Sequence, residues 1–229
     1  MTQNEHPRSI RSFVTRSGRI TEAQQRALQL LWPRYGIEFQ PAAPLDLAAV
    51  FGRTAARIAE IGFGNGENLT ALAAAHRERD FLGIEVHRSG VGRVLLAAEA
   101  HGLANVRVIC HDAVEVLEHQ IPLQSLEEVL VLFPDPWPKK RHHKRRLVQG
   151  PFAELLATRL KPAGLLKLAT DWEPYAEHML EVLVACPLLK NEALDGRFVP
   201  RPAERAPTRF EKRGERLGHG VWDLCFRRI

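Results

Sequence analysis

Acidic residues and glycines cluster where one stretch of this chain could meet a ligand. Glu60-Ile61-Gly62-Phe63-Gly64-Asn65-Gly66 sets a glutamate two residues ahead of a GxGxG run. Glycines in such a run let the backbone turn tightly and approach a ligand at the carboxyl end of a strand. The dinucleotide fingerprint GxGxxG is not met, because Glu67 stands where its third glycine belongs. A diphosphate wants a helix N-terminus free of competing negative charge. Glu60 and Glu67 would repel one, but they suit a ligand that carries a cationic group and a ribose. Glu85 follows Gly66 by 19 residues, the interval at which a carboxylate holds ribose hydroxyls. Asp112 closes the next apolar segment, where it could accept from an adenine amino group. A GxGxG alone marks a tight turn as readily as a site. Carboxylates at three successive strand ends shift the reading to S-adenosylmethionine.

A second constellation begins at Phe133-Pro134-Asp135-Pro136-Trp137-Pro138. Three alternating prolines fix the backbone and present Asp135 at the edge of a sheet. Lys139, Lys140, Arg141, His142, His143, Lys144, Arg145 and Arg146 follow, with no acid until Glu154. A charge run is usually a solvated face, but this one leaves the rim at which the glycine loop also ends. Adjacent His142 and His143 diverge on any regular backbone, so no metal site is expected. Thr170-Asp171-Trp172 adds a carboxylate after the next strand, and Thr208-Arg209-Phe210-Glu211 lies in a basic stretch before the last one.

The elements that must position these groups alternate. Apolar runs predict strands over 57–61, 81–86, 106–110, 128–133, 165–169 and 220–227. Helical periodicity predicts helices over 67–76, 90–100, 113–118, 147–160 and 174–185. The segment 161–164 reads as a helix stop. Such alternation implies a parallel sheet covered on both faces. Upstream, Thr21-Glu22-Ala23-Gln24 is a capping box that starts a helix running to about Leu31, where Trp32-Pro33 ends it. The division expected is a basic arm, helix and bridge over 1–53 and a cofactor-binding domain over 54–229.

Composition bounds the class. The 229 residues are 45% hydrophobic and 26% charged, which excludes a disordered or collagen-like chain and suits one large core. No apolar run approaches the roughly 18 residues of a membrane span. The first twenty residues lack an apolar core, so secretion is not expected, although Arg8, Arg11, Arg16 and Arg19 would suit a transit peptide. Cys110, Cys186 and Cys225 are dispersed, as in a reducing cytoplasm. The net charge of +5 conceals a partition: 1–34, 139–146 and 197–229 together carry +15, leaving −10 on the other 154 residues. An acidic body with three basic patches implies a polyanion met at defined places.

On these motifs the chain resembles the bacterial tRNA (guanine-N7)-methyltransferases over nearly its whole length. The resemblance runs through Arg11-Ser12-Phe13-Val14-Thr15-Arg16 with Gly18-Arg19, the glycine loop, Gly83-Ile84-Glu85-Val86-His87, 133–146, Thr170-Asp171-Trp172 and Thr208-Arg209-Phe210-Glu211. The proline-rich motif is specific to that family; the glycine loop is shared by many methyltransferases. The resemblance makes a transit peptide unnecessary. It implies an α/β, Rossmann-like class I methyltransferase fold: a mostly parallel seven-stranded sheet with an antiparallel C-terminal strand. It implies S-adenosylmethionine without a metal, and methylation of a variable-loop guanine at N7. Glu60, Gly62, Gly64, Glu85, Asp112 and Asp135 would hold the cofactor, and Asp135 would be catalytic. Lys139, Asp171, Thr208, Arg209, Phe210 and Glu211 would bind the substrate. Arg141, His142, His143, Lys144, Arg145 and Arg146 would meet the RNA, with His142 and Phe210 as stacking candidates and Trp137 as core. Family members often carry Tyr at Phe210, which removes a hydroxyl here and keeps the ring. Partners would be tRNA, no membrane and no obligatory protein, with the chain a monomer or homodimer. A methyltransferase of a small acidic metabolite leaves the basic patches unexplained, and a non-catalytic RNA-binding module leaves the carboxylates unexplained.

Overall fold

The computed structural model describes residues 12–13, 20–42, 44–203, 205 and 220–229. Helix α1 (Glu22–Leu30) opens on the expected capping box: Thr21 accepts from the Gln24 amide, and the Gln24 side chain returns to the Thr21 amide. Trp32-Pro33 closes α1 as expected, with Leu31 as the C-cap. It also starts a short helix α2 (Trp32–Tyr35), because proline suits a first-turn position where no amide donor is needed. Strand β1 (Gly36–Ile37) and helix α3 (Leu47–Phe51) complete the bridge.

The remainder alternates as predicted: β2 (Arg57–Ile61), α4 (Glu67–Ala75), β3 (Asp80–Ile84), α5 (Arg88–Ala100), β4 (Val106–Ile109), α6 (Ala113–His119) and β5 (Leu126–Leu132). A 3-10 helix (Lys140–Arg145) then precedes α7 (Gly150–Arg159), β6 (Leu160–Thr170), α8 (Glu173–Val184), β7 (Leu189–Asn191) and β8 (Trp222–Arg228). Helix α7 stops just before the segment 161–164, as expected, and the segment itself lies within β6. A register shift opposite Leu126 and Glu128, with Ala163 at φ 64°, absorbs its irregularity.

Among the described residues the sheet has eight strands rather than seven, in the order β1-β4-β3-β2-β5-β6-β8-β7. Its pairs are parallel out to β6, and β8 and β7 close it antiparallel. Two-residue β1, paired to Val108 and Ile109, and three-residue β7 are too short to show a period. One face packs against α1, α4 and α5 through residues such as Ala27, Leu69 and Val94, all buried. The other packs against α6, α7 and α8 through Leu117, Phe152 and Met179. Strands covered on both sides must be nearly continuous apolar runs, which is why 129–132 reads Val-Leu-Val-Leu. Strand order reverses between β2 and β5, and the crevice beyond such a reversal is where doubly wound sheets take ligands. The glycine loop leaves β2 and the proline-rich loop leaves β5, so both constellations meet there.

Candidate active site

A cleft of about 260 Å³ opens at this reversal and is lined by Gly62, Gly64, Glu85, Asp112 and Asp135. Gly62 and Gly64 hold left-handed backbones (φ 68° and 57°), and a Cβ on either would project into open space. That is a cradle only glycine leaves vacant. From the far side α5 closes on the loop so tightly that a Cβ on Gly90 would stand 2.0 Å from the Gly64 carbonyl oxygen.

Glu85, 5% exposed, organises the wall. Its Oε1 accepts from the Val86 and His87 amides at 2.7 and 2.9 Å, and its Oε2 from the Gly64 amide at 2.8 Å. Oε2, with that single partner among the described residues, retains acceptor capacity toward the cleft. Asp112 caps α6 through Oδ1 to the Val114 amide at 2.8 Å.

Glu60 is not among the described residues that line the cleft. Alternation along β2 sends its side chain to the α4 face, where Asn68 Nδ2 donates to its Oε2 at 2.9 Å. Burial and, secondarily, the Glu85 charge push its carboxyl up to about 7, against the Asn68 bond.

Asp135 stands at the cleft mouth on a loop bracketed by two left-handed residues, Phe133 (φ 51°) and Trp137 (φ 44°). Each such backbone costs about 1–3 kcal/mol and persists only where the surroundings hold it. Asp135 is solvent-accessible by area, yet the walls around it desolvate the carboxyl enough to raise its pKa, while His87 opposes the rise. His87 is a cleft residue that sequence reasoning passed over, its one signal being its place beside Glu85 at a strand end.

Ser12 and Phe13 of the N-terminal arm also line the cleft, and Trp137 Nε1 donates to the Ser12 carbonyl at 3.0 Å. Trp137 is thus a half-buried tether rather than core. It also supports the basic run: Arg145 lies over its ring at 5.0 Å and His142 meets it edge-on at 5.7 Å. Desolvation and the cations Arg141, Arg145, Lys139 and Lys144 lower the His142 pKa, which favours a neutral ring.

Lys139, Lys140, Arg141 and Lys144 face solvent along the 3-10 helix, and His143 and Arg145 are half-buried. Arg146 does not belong with them. It is 4% exposed, and its Nε donates to the Pro136 carbonyl at 3.0 Å. The C-terminal basic patch is likewise partly internal, with Arg197, Arg205 and Arg227 ion-paired to Glu177, Asp223 and Glu192. Asp171 is half-buried after β6. Thr208, Arg209, Phe210 and Glu211 lie outside the described residues.

A second cavity of about 240 Å³ lies on the α4 face of the sheet. Its walls are mainly aliphatic and its charged groups answer each other, as Glu128 does Lys167 at 2.8 Å. The cleft at the strand reversal carries the convergent acids and the glycine cradle, and is the candidate site.

A family model described as a putative methyltransferase matches residues 54–224. The tRNA (guanine-N(7)-)-methyltransferase of Methylococcus capsulatus is 60% identical over 97% of this chain and 95% of its own. The chain belongs to the tRNA (guanine-N7)-methyltransferase family. Members with that name from Leifsonia xyli and Pseudomonas aeruginosa are 59% and 57% identical, covering 95% and 97% of this chain and 95% and 91% of theirs. The fold has wider company. A 16S rRNA (adenine(1408)-N(1))-methyltransferase from Catenulisporales acidiphilia, solved with its cosubstrate SAM, aligns over 84% of this chain and 93% of that one. Its TM-score is 0.57 at 18% identity, a likeness of fold alone. The loop after β2 and the loop after β5 both line the candidate cleft.

Proposed function

We propose that this chain transfers a methyl group from S-adenosylmethionine to N7 of a variable-loop guanine in tRNA. The observation that carries the reading is identity of 57–60% with tRNA (guanine-N(7)-)-methyltransferases over nearly the whole chain. Supporting it, the glycine cradle and Asp135 face one cleft.

The residues present fit the cofactor. Gly62 and Gly64 leave room for its backbone approach, Glu85 Oε2 would take a ribose hydroxyl, and the free side of Asp112 an adenine amine. Glu60, at the end of β2 where the loop begins, would hold the cofactor with its charge favouring the sulfonium. When bound, the cofactor supplies an electrophilic methyl on a cationic sulfur.

Guanine N7 is an unprotonated sp² nitrogen, so no base has a proton to remove there and general-base catalysis has little to act on. What remains is alignment and electrostatics. Positive charge appears on the purine as N7 is methylated, and Asp135, a carboxylate on a loop held in place, stabilises it and orients the reactants. A carboxylate cannot serve N7 or O6, both acceptors. It can accept from N1–H and the exocyclic amine, the part assigned to Asp171 or Glu211. Lys139, Thr208, Arg209 and Phe210 complete the substrate side, Phe210 by stacking. Arg141, His142, His143, Lys144 and Arg145 meet the RNA, and extrusion of the guanine from its stack exposes it. The chain needs no metal or protein partner in this scheme, acts as a monomer or homodimer, and works in the cytoplasm.

Methyl-labelled S-adenosylmethionine and unmodified tRNA test the proposal directly. Label recovered as 7-methylguanosine supports it; label in another nucleoside, or none in tRNA, overturns it.

A further inference from the structure

Arg146 is a buried cation with no carboxylate within ion-pair distance among the described residues. Taking a charge out of water is costly unless it is fully answered, so its surroundings deserve a reason. Three separate elements answer it. Nε donates to the carbonyl of Pro136, the residue after Asp135, at 3.0 Å. Nη2 lies 3.2 Å from His143 Nε2 in the 3-10 helix; arginine has only donors, so His143 accepts there as the neutral ring. The guanidinium carbon sits 4.9 Å from the centre of the Tyr175 ring in α8, the helix that starts just after Asp171. Tyr175 is itself fixed: it is fully buried, and its hydroxyl accepts from the Val148 amide at 3.2 Å.

We infer that Arg146 is a positioning residue: a strut that fixes the Asp135 loop to the basic 3-10 helix and to α8, so that RNA seated on that helix finds Asp135 in place. The loop has reason to need one. Phe133 and Trp137 hold it in left-handed backbone at both ends, and Arg146 on Pro136 and Trp137 on Ser12 are among its anchors. A planar fork serves two acceptors at once while its face lies on a ring; an ammonium cannot do both. A displacement of about 1 Å at a reacting centre costs on the order of 10²-fold in rate. This inference rests on the proposed role of Asp135.

The test compares Arg146→Lys, Arg146→Ala, Arg145→Ala and Asp135→Asn in the full chain. Turnover is measured at saturating tRNA and S-adenosylmethionine, with the tRNA Kd and its salt dependence measured separately. Arg146→Ala should lose roughly 10²-fold in kcat with Kd within about threefold of the parent, and Arg146→Lys roughly tenfold. Arg145→Ala should weaken Kd and make the salt slope shallower. Should Arg146→Ala fail to fold, the lysine variant still decides. Parent-like kcat in Arg146→Lys overturns the inference, and so does a loss confined to Kd and salt slope. If Asp135→Asn keeps its activity, the reading of the site itself has failed; if it is inactive while Arg146→Lys keeps parent-like kcat, only the strut has.

Discussion

Glu60 is 3% exposed, and among the described residues the side chain that hydrogen-bonds it is the neutral amide of Asn68. Desolvation therefore dominates, and the carboxyl titrates near 7 in the fold against 4.5 in the open chain. Between those values the folded state holds a proton that the unfolded state has released, so stability falls as pH rises through the window. By pH 8 the accumulated cost approaches 2.5 units at 1.36 kcal/mol each, about 3 kcal/mol, and at pH 5.5 it is about 1 kcal/mol. Glu60→Gln keeps the shape and removes the charge. It should stabilise the cofactor-free protein, and its advantage should grow by about 2 kcal/mol from pH 5.5 to pH 8. For a chain of this length that is a Tm difference of about 4–8 °C. Urea or thermal unfolding of both proteins at the two pH values reads it. The same variant should bind S-adenosylmethionine more weakly, because the charge that destabilises the empty fold is the one that favours a sulfonium. A stability difference independent of pH, or a glutamine variant less stable at pH 8, would refute the reasoning.

Asp223→Ala should cost about 3–5 kcal/mol, since it leaves buried Arg205 without the two oxygens it holds at 3.1 and 3.0 Å; denaturant unfolding reads the loss. Gly64→Ala should destabilise by about 1–2 kcal/mol through its left-handed φ of 57° and place a methyl in the cleft, weakening S-adenosylmethionine binding in calorimetry. Affinity for tRNA should fall steeply with salt, about 10³–10⁵-fold between 50 and 200 mM if 6–10 phosphates are neutralised. Lys144→Ala, which removes an exposed cation from the 3-10 helix, should lower that slope by about one.

The parallel sheet was legible because its strands are apolar on both faces and its helices carry a period. The glycine loop and Asp135 were legible because glycine and proline state backbone geometry in the sequence itself. β1 and β7 were not, since two or three residues cannot express alternation and their pairing depends on distant partners. Direction was harder than position. Glu60 and Arg146 stand where their motifs promise surface chemistry, but strand alternation turns one toward Asn68, and Pro136, His143 and Tyr175 enclose the other. The charge partition has the same limit. Residue counting does not show that Arg205 is held by buried Asp223, or that exposed Arg197 and Arg227 are ion-paired to Glu177 and Glu192.

The central claim is that Asp135 drives methyl transfer by position and charge, and not as a base or as an RNA anchor. Single-turnover methylation by Asp135→Ala, with tRNA binding measured on the same preparation, tests it most directly. The account predicts that transfer is lost by about 10² or more while the tRNA Kd stays near that of the parent. A Kd that collapses in parallel with the rate, or a variant that still methylates, would contradict it.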